Sequence, residues 1–137
     1  MKKIHEKILR IKHPELYKKI YFECGSGWFD ILDKVAEKIE RLETAGKIRI
    51  EPSQIKEKFG SMRYYYYEMH RATKDKEKQR IFSDIISDVI HKAETETENT
   101  CEQCGKFGSI NNTGWLQCLC DPCRTKQEQE RAERLKK

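Results

Sequence analysis

Four cysteines near the C-terminal end of the chain are spaced for metal binding. Cys101 and Cys104 form one C-x2-C pair, Cys120 and Cys123 form a second, and fifteen residues separate the pairs. This spacing is typical of a structural zinc site, in which two short turns each point two thiolates at one ion. We therefore predict one Zn²⁺ ion held by these four residues. Because thiolates would fill all four coordination positions, the ion is expected to be structural and not catalytic.

The remaining two cysteines leave alternatives open. Cys118 lies two residues before Cys120, so the alternation of a strand would place both on one face, where Cys118 competes as a ligand. Free or redox-active thiols are the alternative to a metal site. Cys24 stands alone and is expected to be a small buried residue. The segment between the two pairs has apolar residues around Phe107 and Trp115 joined by a turn-rich stretch, which predicts a zinc ribbon.

The sequence shows no group of residues with the spacing of a known catalytic site. The four histidines are scattered, and the short GSG at residues 25–27 does not amount to a phosphate-binding loop. We therefore expect a binding protein and not an enzyme.

A run of four tyrosines, Tyr64 to Tyr67, is the second feature whose residues could carry out binding chemistry. In a strand, Tyr64 and Tyr66 would face one side and Tyr65 and Tyr67 the other. One pair is expected to pack in the core, and the sequence does not choose which. The other pair either lies under a loop or under the ribbon, or is partly exposed beside cations, among them Arg63 and Arg71. An exposed pair would form either a base-stacking platform or a protein-binding surface.

The elements that must position these residues follow from periodicity. Residues 2–12 predict a short amphipathic helix, and Pro14 begins a second one. An apolar stripe from Trp28 to Leu42 predicts a long helix ending near Gly46. Residues 47–69 predict a β-hairpin whose long connection includes a helical turn after Ser53.

A second long helix is predicted within residues 70–98, followed by a low-order acidic junction at ETETENT. Its apolar stripe favours core packing over a dimer interface, although an oligomer stays possible. The predicted fold is α+β: two long helices packed on a short antiparallel β-hairpin, with a C-terminal four-cysteine zinc ribbon. The predicted divisions are 1–98 for the helix and hairpin domain, 99–124 for the ribbon and 125–137 for a charged helical tail.

Composition narrows the class of protein further. The 137 residues are 36% hydrophobic and 37% charged, with a net charge of +5, which permits nucleic-acid binding without demanding it. No signal peptide and no apolar run of membrane-spanning length is visible, so we expect a cytoplasmic protein without a membrane partner. Six cysteines in a reducing compartment favour metal ligation over disulfides.

Three stretches together resemble an uncharacterised family of bacteriophage and prophage proteins. They are GWFDIL at residues 27–32, KEKFGSMRYY at 56–65, and the C-terminal CEQCG and CDPC pairs. The resemblance covers residues 23–67 and 101–124, and Gly60, Arg63 and Tyr65 fall within it. It implies a phage protein acting in the cytoplasm of the host bacterium, in host takeover or in blocking a defence system. It implies no catalytic residues.

The leading functional prediction is a non-enzymatic interaction protein that binds a host macromolecule, most simply a host protein. The first alternative is a nucleic-acid-binding regulator that uses the basic and aromatic hairpin. The second is a binder of a small anionic nucleotide ligand. The contact surface of the leading prediction would combine the hairpin with exposed parts of the ribbon, whereas the two alternatives use the cations of the hairpin, joined in the nucleic-acid case by its tyrosines. The candidate contact residues on the hairpin are Lys56, Lys58, Gly60, Arg63, Tyr65 and Tyr67.

Overall fold

The computed structural model describes residues 1–46, 48–70 and 75–136. Helices and strands are mixed along the chain. In order they are α1 (Lys3–Lys12), α2 (Pro14–Tyr17), β1 (Phe22–Glu23), a 3-10 turn (Ser26–Trp28), α3 (Phe29–Gly46), β2 (Ile48–Lys58), β3 (Ser61–His70), α4 (Lys76–Thr97), β4 (Ser109–Ile110), β5 (Cys118–Leu119) and α5 (Asp121–Leu135).

The larger sheet has the strand order β1-β2-β3. β2 and β3 form a long antiparallel hairpin, and β1 adds a short parallel strand to the far edge of β2. Phe59 and Gly60 make the hairpin turn with φ values of 56° and 86°, as a two-residue type I′ turn requires. The predicted helical turn after Ser53 is therefore wrong. That segment stays in β2 because its backbone pairs with β3. Ser53 has no partner in β3, and the register of the strands shifts between Pro52 and Gln54, as at a β-bulge.

One face of this sheet packs on the long helices. The apolar stripe of α3 is buried as its spacing predicts, and α4 packs on both α3 and β3. Trp28, just before α3, is fully buried, and its indole N–H donates to the Thr100 carbonyl oxygen at 2.9 Å. The largest buried side chains of this core are Trp28, Tyr17, Leu9, Leu32, Ile39, Ile50, Ile55, Met62 and Ile86.

The C-terminal end of α4 covers the free edge of β3. Thr97 is fully buried, and its hydroxyl oxygen accepts a hydrogen bond from the Met62 N–H at 2.9 Å. The Glu94 carboxylate accepts one from the Tyr64 N–H at 2.9 Å. These bonds satisfy strand donors that would otherwise be open to pairing with another chain. The predicted low-order junction is thus wrong for its first half, since α4 continues to Thr97 to reach this edge.

A polar network joins the N-terminal helices to α3. His13 is buried between two carboxylates of α3, with Nε2 2.7 Å from Asp33 Oδ1 and Nδ1 bonded to Glu40. The Lys12 ammonium lies 2.7 Å from the other oxygen of Asp33. The sequence pattern shows this histidine only as one of a scattered set, because His13 and Asp33 are 20 positions apart and no local pattern indicates their contact.

The cysteine-rich segment folds as a small ribbon with a two-stranded sheet of β4 and β5. It is joined to the rest of the molecule at the GSGW segment, and we call this contact the seam. The Gly27 N–H donates to the Glu102 carbonyl oxygen at 2.7 Å, and Gly105 packs on the Gly27 backbone. At the hairpin turn, Gly60 is buried against Ile110 of β4.

These observations confirm a mixed helix and sheet fold with a C-terminal four-cysteine cluster. The finer prediction of two helices on a simple hairpin is only partly matched, because β1 and the short N-terminal helices also belong to the body. Among the described residues, no helix has the length and apolar character needed to cross a membrane.

Candidate metal centre and outer sheet face

The first cysteine pair sits on a tight turn held by backbone hydrogen bonds. The Gly105 N–H donates to the Cys101 carbonyl oxygen at 2.9 Å, and the Cys101 N–H donates to the Lys106 carbonyl oxygen at 2.7 Å. Gly105 has a φ of 80°, a conformation that glycine adopts without steric cost. These bonds hold the backbone of the turn that carries Cys101 and Cys104.

The second pair comes from the start of α5. Cys120 precedes the helix and Cys123 lies in its first turn, where Pro122 occupies a position that suits proline. The four sulfur atoms of Cys101, Cys104, Cys120 and Cys123 all lie within 4.8 Å of one another. The predicted clustering of these four residues is confirmed.

The donor set fits a tetrahedral metal ion. Four thiolates at about 2.3 Å from a zinc ion lie about 3.8 Å apart. The sulfurs of Cys104 and Cys120, which belong to different pairs, are 3.6 Å apart, close to that separation. Four sulfur donors without a carboxylate or water position are typical of structural zinc sites.

Titration of the sulfurs points the same way. Burial raises the pKa of Cys101, but N–H groups of Cys120, Cys104 and Gln103 outweigh it and lower that pKa to about 7. Burial and the neighbouring sulfurs raise the pKa of Cys123 to about 12. Binding a metal ion would release protons from the set.

The other two cysteines lie outside the cluster. Cys118 is fully buried, its S–H donates to the Glu98 carbonyl oxygen at 3.3 Å, and burial raises its pKa to about 11. Cys118 is not among the four converging sulfurs. Cys24 is buried too, and burial raises its pKa to about 12, so it is a poor nucleophile at neutral pH.

The structure decides which tyrosines belong to the core. Tyr64 is only 3% exposed, and its hydroxyl donates to the hydroxyl of the buried Tyr17 at 3.4 Å. Tyr66 is partly buried against the same core. Tyr65 and Tyr67 are 43% and 69% exposed on the opposite face of β3. The four tyrosines are therefore two pairs with different surroundings, as strand alternation predicts.

The exposed pair belongs to a larger surface that we call the outer sheet face, made of Lys56, Arg63, Tyr65, Tyr67 and Met69 on β2 and β3. The Lys56 ammonium lies 5.8 Å from the centre of the Tyr65 ring, close enough for a cation–π contact. Arg63 is paired with Lys56 across the strands and donates to the Ser61 hydroxyl oxygen at 2.5 Å. Met69, 41% exposed, continues the row.

Acidic groups flank this outer sheet face. Glu51 lies opposite Tyr67 in the strand register, and Glu23 of β1 lies opposite Lys56. The Gln54 side chain donates to the Glu23 carboxylate at 2.9 Å. The face therefore carries both signs of charge around its aromatic centre.

The other predicted contact residues are placed differently. Lys58 lies at the hairpin tip, where its ammonium is 5.5 Å from the centre of the exposed Phe59 ring. Gly60 has a structural explanation, because it permits the turn and the close approach of Ile110. Arg71 lies outside the described residues. Met69 was missed by sequence reasoning, although continuing the alternation of Tyr65 and Tyr67 by two residues would have found it.

Comparison of the chain with protein-family models, with curated proteins and with solved structures gives no match.

Proposed function

We propose that this protein is a non-enzymatic binding module, stabilised by one structural Zn²⁺ ion, that contacts another protein through its outer sheet face. The observation that carries the proposal is the row of Tyr65, Tyr67 and Met69 exposed on one side of a strand whose other side is core. Large apolar side chains in a contiguous exposed row mark interaction surfaces more often than isolated ones do.

The chemistry of the outer sheet face favours a protein partner over a nucleic acid. Tyrosine, methionine and arginine are enriched at protein interfaces, and tyrosine is large and stiff and carries a hydroxyl. Glu51 and Glu23 would repel phosphates, whereas a protein surface can offer them cationic partners. Lys56 and Arg63 would then form a polar rim beside an aromatic hot spot.

We infer from the chemistry of the cysteines that the protein binds a partner and does not catalyse a reaction. A zinc ion with four thiolate ligands has no open position for substrate or water. The one cysteine of the body, Cys24, keeps its proton at neutral pH because burial raises its pKa to about 12. Both features support a metal that stabilises the fold and a surface that does the binding.

The resemblance to bacteriophage and prophage proteins supplies the proposed setting. The partner would be a protein of the host bacterium in its cytoplasm, and binding would block or redirect that protein. Host takeover and inhibition of a defence system both fit a small protein that acts by occupancy.

The proposal is tested by a variant-dependent capture experiment. Tagged wild-type protein and the double variant Tyr65→Ser/Tyr67→Ser are incubated with bacterial lysate, and captured proteins are quantified by mass spectrometry. A partner of the outer sheet face should fall at least tenfold with the double variant. The matched control is Phe107→Ser, which removes an aromatic side chain that is 80% exposed in the ribbon. It should capture the partner as wild type does.

Two results would overturn the proposal. One is capture that is unchanged by the double variant but lost with Phe107→Ser, which would move the interface to the ribbon. The other is salt-sensitive oligonucleotide binding that is lost with Lys56→Ser/Arg63→Ser, which would make the outer sheet face a nucleic-acid site.

A further inference from the structure

A groove separates the ribbon loop 111–117 from α5, and we call it the ribbon groove. It encloses about 580 Å³ and is lined by aromatic, amide and guanidinium side chains. The lining residues that matter most are Asn111, Trp115, Gln127, Glu128, Arg131 and Arg134. The groove shares no residue with the outer sheet face, so a role for the groove is independent of the function proposed for that face.

The aromatic wall of the ribbon groove is held in place. Trp115 is 75% exposed. The Asn111 amide group donates to the carbonyl oxygens of Thr113 at 2.6 Å and Trp115 at 2.8 Å, and its oxygen accepts the Gln117 N–H at 2.8 Å. One side chain thus closes the loop on both sides of Trp115. The indole is presented on a fixed loop, which lowers the ordering cost of binding a planar ligand.

The basic wall is one face of α5. Arg124, Gln127, Arg131 and Arg134 fall at i, i+3, i+7 and i+10, which places them on the same side of the helix. The Arg124 guanidinium is already engaged within the protein, since it donates hydrogen bonds to the carbonyl oxygens of Ser109 at 2.8 Å and Gln117 at 3.3 Å. It holds the ribbon loop against the helix and so shapes the groove.

Arg131 and Arg134 remain available for a ligand. No ion pair found among the described residues involves either of them. They are three positions apart, a rise of about 4.5 Å along the helix axis. Glu128 is the one acidic side chain among the residues that line the groove, against three arginines. The lining is therefore positive as well as aromatic.

We propose that the ribbon groove binds a short segment of single-stranded nucleic acid. A base would stack on the exposed Trp115 ring, and the adjoining phosphates would lie on Arg131 and Arg134, with Gln127 about one turn before Arg131 on the same helix. Stacking of unpaired bases on aromatic rings combined with arginine contacts to the backbone is how sequence-tolerant single-strand sites work. A duplex would not fit, because its bases are not free to reach the ring.

The test uses the fluorescence of the full-length, zinc-loaded protein. The chain has two tryptophans, and Trp28 is fully buried, so quenching by added ligand reports on Trp115. Titration with ten-residue oligothymidylate and oligouridylate at low salt should quench the emission with saturation. With two phosphates neutralised, the logarithm of affinity should fall against the logarithm of salt concentration with a slope of about −1.4.

Variants separate the two walls of the ribbon groove. Arg131→Ser/Arg134→Ser should weaken oligonucleotide binding about tenfold or more and bring the salt slope close to zero. Trp115→Ser, followed by anisotropy of a labelled oligonucleotide, should also weaken binding about tenfold. The matched control Lys76→Ser/Lys126→Ser removes two exposed positive charges outside the groove and should bind as wild type. Tyr65→Ser/Tyr67→Ser should leave oligonucleotide binding unchanged.

Three outcomes would overturn this inference. The first is no quenching by either oligonucleotide at low salt. The second is wild-type affinity and salt slope in the arginine double variant. The third is equal affinity for a mononucleotide, which would show that the groove does not need a strand, or for a ten-residue polyglutamate, which would show that it selects charge alone.

Discussion

Among the described residues, the helix and sheet body has a large apolar core, whereas Leu119 is the largest buried side chain of the ribbon. In the body, Trp28, Leu32 and Ile39 are inaccessible to solvent, whereas Phe107 and Trp115 in the ribbon are 80% and 75% exposed. Among the described residues, the main apolar cluster contains none that follow Ala93 in the chain. Burial of apolar surface therefore stabilises the body, while the ribbon depends on backbone hydrogen bonds, the cysteine cluster and the seam. The same chain uses two sources of stability, and they should respond to different perturbations.

Removal of the proposed zinc ion should have the largest effect of all, and that effect should be confined to the ribbon. Structural zinc supplies about 10 kcal/mol or more of folding free energy in small zinc domains. Chelation should release one equivalent of zinc and unfold residues around the cluster while the body keeps its fold. Two-dimensional NMR spectra before and after chelation would show which amide signals move.

Two cysteine variants make that test more specific. Cys104→Ser should lose the metal, whereas Cys118→Ser should keep one equivalent because Cys118 is bonded to the Glu98 carbonyl and not to the cluster. Elemental analysis gives the answer. Loss of zinc from Cys118→Ser alone would contradict the assignment of the four ligands. Unfolding of the whole body on chelation would contradict separate sources of stability for the body and the ribbon.

The seam should be the next most sensitive place. A Cβ added at Gly27 would lie 2.0 Å from the Cys101 carbonyl oxygen, which is backbone and cannot move aside cheaply. We expect Gly27→Ala to cost about 1–3 kcal/mol. Urea unfolding monitored by the fluorescence of Trp28 in a Trp115→Phe background, and separately by zinc release, would show whether the body and the ribbon uncouple.

Gly114→Ala is the comparison for this substitution. Gly114 has a φ of 68° and no neighbour within 4 Å, so alanine there incurs only the backbone preference, about 1 kcal/mol. An equal effect at both positions would mean that the close contact at the seam is unimportant.

A smaller and pH-dependent effect is expected in the body at Asp33. Partial burial raises the pKa of Asp33, but hydrogen bonds from Lys12 and His13 outweigh it and lower the pKa below its ordinary value. The stabilisation is thus present above the unfolded pKa of about 3.9 and is lost as the pH falls through the lower folded value. Asp33→Asn should cost about 1 kcal/mol at pH 7 and less near pH 3.

Unfolding by urea at both pH values measures this difference. Asp88→Asn is the control, because Asp88 makes an exposed pair with Lys92 at 3.1 Å that should contribute little. A cost for Asp33→Asn that is the same at pH 3 and pH 7 would argue against the network of Lys12, His13 and Asp33.

The smallest effect on stability should come from the outer sheet face. Tyr65→Ser and Tyr67→Ser remove exposed rings and should change the free energy of unfolding by no more than about 0.5 kcal/mol each. Tyr64→Ser on the same strand removes a buried ring and should cost about 3 kcal/mol or more. Thermal unfolding of the three variants would check the contrast, and a large loss at Tyr67 would show that this face is structural.

The sequence predicted the parts of the molecule whose geometry is local. Two C-x2-C pairs indicate a metal cluster because each pair forms within one turn. The apolar stripe of α3 can be recognised in the sequence because a helix repeats every 3.6 residues. The division of the tyrosines into two pairs follows from strand alternation alone. The error after Ser53 is equally instructive: local propensity favoured a helical turn there, and pairing with β3 overrode it.

What only the tertiary structure decided depends on residues distant in the chain. Tyr64 and not Tyr65 is core because α3 and α4 cover one face of the sheet, and no local pattern states which face that is. His13 is hydrogen-bonded to Asp33, and Gly27 to Glu102, while Trp115 and Arg131 line the same groove. Each of these arrangements is created by folding alone. Local rules fixed which residues could bind metal or stack, whereas the packing of distant elements fixed which of them face outward.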